Sequence, residues 1–151
     1  MADDRRLSVE KMVSEGIIER IDKTDFLGLG NKGESRTERT DLFIFAMALG
    51  VKSGKRTPLS NSIGIIRNET LNNDHKAVSL INSVVVDEMR RISEEQKIAN
   101  KDIFYDIAEE YANTGFRIIN DWIDKTEEKS YDEEAFIAEL LSEMTEKYHS
   151  I

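Results

Sequence analysis

The chain has 151 residues, 30 acidic and 21 basic side chains giving a formal net charge of -9, no cysteine and a single proline. A chain of this size buries about two-thirds of its unfolded surface as one domain, so it folds without disulfides or a structural metal. The lack of cysteine excludes disulfides, thiolate metal sites and thiol catalysis. No apolar run approaches the roughly 20 residues that span a bilayer, and MADDRRLSVEKM lacks the apolar core of a signal peptide. A soluble, cytoplasmic protein with no membrane partner is expected.

In chain order, LSVEKMVSEGIIERIDK spaces Leu7, Met12, Val13, Ile17, Ile18 and Ile21 as the apolar face of an amphipathic helix. TDFLGLGNKGESRT follows, and its glycines and small polar residues predict a flexible loop near residues 28–37. Ser35 and Glu38 stand in the S-x-x-E relation of a capping box, with Thr37 and Thr40 as alternative caps. DLFIFAMALG is apolar on every side, which predicts a central core helix over Leu42–Leu49 with Gly50 as its left-handed C-terminal cap.

Val51 to Asn68 then forms a basic loop: Lys52, Lys55, Arg56 and Arg67 with no carboxylate, the only proline, and many hydroxyl and amide groups. NNDHKAVSLINSVVVDEMRRIS opens with Asn and Asp caps and spaces Val78, Ile81, Val85, Met89 and Ile92 as a second core helix. Ser93 and Gln96 are placed to cap a short further turn. KDIFYDIAEEYANTGFRIINDWIDKTEEK has the most sustained helical period. SYDEEAFIAELLSEMTEKYHSI reads as a last helix, capped through Ser130 and Glu133 with acids in its first turn. With no convincing strand pair, the expected fold is an all-α compact bundle of four to five helices in one domain, 1–151. A short irregular or strand-like segment is allowed near residues 61–68.

Few motifs carry chemistry. GLGNKG at Gly28–Gly33 has the spacing of a dinucleotide-binding turn, but a helix precedes it and no βαβ unit follows. GVKSGKRT fails as a P-loop because Arg56 replaces the required Ser or Thr. Glu146 and His149 form one E-x-x-H pair where a di-iron bundle needs two. The acid runs Glu109/Glu110, Glu127/Glu128 and Asp132–Glu134 are consecutive and read as solvated helix faces. No catalytic residue, metal site or cofactor is therefore assigned. A self-assembling subunit using apolar surface around Trp122, and a metal-dependent enzyme using helix carboxylates, are the alternatives.

Charge distribution leaves one candidate site. Residues 1–76 hold 13 Lys/Arg and 12 Asp/Glu, against 8 and 18 in residues 77–151, so the acidity belongs to the second half. Lys52, Lys55 and Arg56 suit the negative end of the preceding helix. That leaves unexplained why the acid-free run continues from Thr57 to Asn68 with Arg67. Cations among hydroxyl and amide donors suit phosphate oxygens, and an acidic protein surface is the other fitting partner, including the C-terminal half of a second copy. The stretch holds no aromatic for stacking on bases.

Over residues 36–60, DLFIFAMALGVKSGKRTPL resembles small accessory proteins associated with bacterial DNA phosphorothioation (Dnd-type) defence systems, through an apolar helix followed by glycine, a basic turn and a short polar stretch. That resemblance implies an accessory or DNA-associated role in a phage-defence locus, and it carries no catalytic residue to this chain.

Overall fold

The computed structural model describes residues 5–30, 38–92, 101–128 and 133–149. Among them are six α-helices, α1 (Glu19–Thr24), α2 (Arg39–Ser53), α3 (Asn68–Asn72), α4 (His75–Ile92), α5 (Lys101–Glu128) and α6 (Glu133–His149), and two short strands, β1 (Leu7–Glu10) and β2 (Ser62–Ile66). The fold is mostly helical, as its periodicity implies. No helix among the described residues is long and apolar enough to cross a membrane.

Two core helices lie back to back. α2 and α5 run antiparallel, with Gly50 against Tyr111 and Gly115 against Ala46. A Cβ added at Gly50 would lie 1.9 Å from the Tyr111 carbonyl oxygen, and one at Gly115 1.6 Å from that of Ala46. Only glycine lets two backbones approach so closely. This corrects the expected role of Gly50: it stays inside α2, because the crossing needs its missing side chain there. The helix runs one turn further and is capped by Gly54 at φ 75, whose N–H reaches the carbonyls of Gly50 and Val51.

Leu42, Phe43, Ala46 and Met47 of α2 are buried, with Ile81, Val85 and Met89 of α4 and Ala108, Ala112, Phe116 and Ile119 of α5 in the same core. α6 adds Phe136, packed edge-on against Phe26 and Trp122 at centroid distances of 5.7 and 5.6 Å. The apolar surface around Trp122 is thus partly used inside the chain.

The N-terminal segment departs from the expected single helix. Leu7–Glu10 is a strand buried along its whole length, paired antiparallel with β2, and the helical spacing begins to hold only after it. A π-helical stretch, Val13–Ile18, then leads into α1, burying Val13, Ile17 and Ile18 while Met12 is exposed. The strand wins over the helix because it meets β2, a partner some 50 residues away, from within the allowed strand-like segment near 61–68. β2 also corrects the expectation of no strand pair, and it shortens the basic loop: residues 51–53 are helical and 62–66 are strand.

Helix starts follow simple capping chemistry where they are described. Asp74 accepts a hydrogen bond from the Ala77 N–H at 3.0 Å, so the aspartate is the working cap of α4. α2 begins at Arg39 with Glu38 itself in the N-cap position, one turn later than a Ser35 cap would place it. Ser35, Thr37, the Ser93/Gln96 turn and Ser130 lie outside the described residues, as does the glycine-rich loop from residue 31 to 37.

Candidate binding surface on the basic segment

From Gly54 the chain crosses from the end of α2 to the side of α5. Lys52 in the last turn of α2 and Lys55 just beyond it are both exposed. Arg56 turns inward, its Nε 3.1 Å from Oε2 of Glu88 on α4 and 3.7 Å from Oε1 of Glu110 on α5. Glu88 is nearly enclosed and also accepts a 2.6 Å hydrogen bond from the Tyr111 hydroxyl. Burial first, and then this bond to a carboxylate, push the Tyr111 hydroxyl up to about 12. Burial likewise raises the Glu110 carboxyl, against the opposing pull of Arg56.

The next residues are stitched to α5. The Thr57 N–H donates to the Glu110 carbonyl at 3.1 Å, and its hydroxyl meets that of Thr114 at 2.7 Å. Asn113, almost fully buried, donates its amide to the carbonyls of Thr57 and Pro58 at 3.1 and 3.4 Å. Ser60 donates through its N–H and its hydroxyl to Glu10 on β1, whose other carboxylate oxygen takes Arg117 of α5. Long acid-free donor stretches need acceptors when they dock. Here the Glu110 carbonyl takes the Thr57 N–H and the Glu10 carboxylate takes both Ser60 donors, which accounts for part of the unexplained Thr57–Asn68 run.

β2 then pairs with β1, and Arg67 follows it, exposed, in the N-cap position of α3. Its neighbour Asn68 accepts from the Tyr105 hydroxyl at 2.5 Å. The four expected cations therefore divide. Lys52, Lys55 and Arg56 share the end of α2, whereas Arg67 stands at the far end of β2, and Arg56 and Arg67 have no common partner among the described residues. Because Leu7 pairs with Ile66, the cation placed at the same end of the sheet as Arg67 is Arg6, whose side chain packs over Gly64.

Two further groups escaped sequence reading. Arg91, on the last turn of α4, has Nη1 3.9 Å from Oε1 of the same Glu88 that holds Arg56. Glu109, expected on a solvated face, is buried beneath β1, where it pairs with Arg5 and accepts the Ser8 N–H at 2.6 Å. Burial raises its carboxyl despite these partners. Its next neighbour Glu110 is half-buried against Arg56, so this acid pair is structural. Glu88 and Arg91 stand in an i,i+3 relation that the sequence does show, whereas the partners of Glu109 come from a distant element and leave no spacing to read.

Other expected features add no chemistry. Gly28 closes a tight turn, Phe26–Gly28, and Gly30 donates to the Asp25 carboxylate, with no strand leading into them. His75 is exposed at the start of α4. Among the described residues no three acid or histidine side chains converge as metal ligands.

Residues 27–150 match the family model described as DNA sulphur modification system-associated protein 4, a span far wider than residues 36–60. No curated protein and no solved structure gives a significant match to the chain.

Proposed function

Because this chain belongs to the DNA sulphur modification system-associated protein 4 family, we propose that it is a non-enzymatic accessory component of such a system and serves in phage defence. It contacts nucleic acid or a protein complex through the basic segment, with Lys52, Lys55 and Arg56 at the end of α2 as one group of contact residues and Arg67, at the far end of β2, as a separate one. The observation that carries this reading is the placement of Lys52 and Lys55. Both are exposed on a turn whose following residues are held to α5 by Thr57 and Asn113, so their charges are presented from a fixed base. Arg56 contributes less freely, since part of its charge is already answered by Glu88 and Glu110.

The test separates the exposed pair from the anchored arginine. In K52A/K55A, thermal stability stays within about 0.5 kcal/mol of wild type, as for surface positions without partners, while binding to duplex DNA or to the other proteins of the system is lost. Arg56→Ala lowers stability as well as binding. Unchanged binding by K52A/K55A to both kinds of partner overturns the proposal.

A further inference from the structure

We infer that Arg91 belongs to the same contact surface as Lys52, Lys55 and Arg56, and that this surface is fitted to the phosphate backbone of a nucleic acid. The inference rests on the reading that the basic segment binds a partner, and it deepens that reading by adding a residue from another helix and naming the partner's chemistry.

Glu88 is the reason the two arginines stand together. Its Oε2 takes Arg56 Nε and the Tyr111 hydroxyl, and its Oε1 faces Arg91 Nη1. One enclosed carboxylate, itself pinned by a tyrosine, thus places guanidinium groups from residues 56 and 91 side by side. Neither is saturated by its partners among the described residues. Arg56 meets its carboxylates through Nε, and Arg91, 61% exposed, makes one long ion pair.

Other arginines of the molecule behave differently. Arg5 reaches Glu109 and Asp106 with both terminal nitrogens, Arg20 reaches Asn120, Asp124 and Glu127, and Arg39 grips both oxygens of Asp22. Those three are structural clamps. Arg56 and Arg91 retain planar donor forks, the geometry that matches phosphate oxygens.

Two features favour phosphate over a protein surface. A protein interface usually has an apolar core within its polar rim. Here Met89 is fully buried, and the exposed apolar groups flanking the patch in sequence are two valines, Val51 at 38% and Val86 at 37%, each standing singly rather than as an apolar core. The exposed cations of the patch are Lys52, Lys55 and Arg91, around the partly exposed Arg56. A role for Arg91 in meeting the C-terminal dipole of α4 is already served by Arg90 in the same turn.

The experiment measures binding of a short fluorescein-labelled DNA duplex across a salt series, for the full chain and for K52A/K55A, Arg91→Ala and Arg91→Lys, with melting temperature recorded for each. Arg91→Ala is expected to weaken binding several-fold and to reduce the slope of log K against log salt by roughly one, the signature of one lost phosphate contact, without lowering the melting temperature appreciably. Arg91→Lys restores the slope and only part of the affinity. If K52A/K55A loses affinity while Arg91→Ala matches wild type, this inference falls and the reading of the basic segment stands. Binding of the wild-type chain to a protein component of the system but not to the duplex overturns the phosphate assignment alone. If the wild type binds neither, both fail.

Discussion

α5 carries two kinds of contact on different sides, and they obey different physics. Against α2 it presents Gly115 and the backbone of Tyr111, so two helices touch main chain to main chain. Toward the segment after Gly54 it presents Glu110, Asn113 and Thr114, and Arg117 holds Glu10 of β1, which takes Ser60 of that segment; the contact is made of hydrogen bonds and ion pairs. The first kind tolerates no added volume, because nothing at the contact can move aside. The second tolerates changes of volume better, but each donor left without an acceptor, or acceptor without a donor, costs the desolvation of that group. A rigid crossing and a polar docking therefore share one helix, and only the polar side leaves cations at the surface.

The sharpest way to break the comparison is Gly115→Ala. It should destabilise by about 3 kcal/mol, the upper end for overpacking a core, and lower the midpoint of urea denaturation with an unchanged slope. A midpoint equal to wild type would mean that the crossing can open enough to take a Cβ, which as it stands would lie 1.6 Å from the Ala46 carbonyl oxygen. On the polar side, Glu88→Ala removes the shared acceptor of Arg56, Arg91 and Tyr111. About 2 kcal/mol is expected, less than for a fully buried ion pair because both arginines are partly solvated. Amide exchange at Arg56 and Thr57 should quicken in the same variant, and unaltered exchange would show that Glu88 does not anchor the segment.

Asn113→Ala strips the donor from the Thr57 and Pro58 carbonyls and should cost about 1 kcal/mol. An effect as large as that of Gly115→Ala would erase the distinction between the two sides. The smallest expected effect is one of pH. The Tyr111 hydroxyl titrates at about 12 in the fold against an ordinary 10.0, so its contribution is complete below about pH 10 and is lost as the pH rises toward 12. Tyr111→Phe should remove that alkaline loss, which denaturation midpoints measured on both sides of the window would show. An identical alkaline loss in the variant would rule out Tyr111 as its source.

Helices α2, α4, α5 and α6 are legible in the sequence because each is long enough for an apolar period to repeat several times. Leu7–Glu10 is not, since a four-residue strand is too short to show a period and its alternation merges with the helical spacing that follows. Lys52 and Lys55 were recognisable as exposed cations from the charge of their own segment. The company they keep was not, because Glu88, Glu110 and Arg91 lie on helices whose polar faces look alike in sequence. Glu109 and Glu110 are the clearest example: consecutive acids suggest solvent, yet one is buried under β1 and the other lies against Arg56.

By itself, then, the sequence determined a mostly helical fold, a buried α2 and a cationic stretch after it, all of which follow from local composition and period. The tertiary structure alone decided that Gly50 is a crossing point and Gly54 the cap, that the donor-rich stretch docks on α5 and on Glu10 of β1, and that Arg91 shares a counter-ion with Arg56. The physical reason is range. Periodicity records which side of an element faces inward, whereas a backbone approach or a shared carboxylate depends on which other element arrives there.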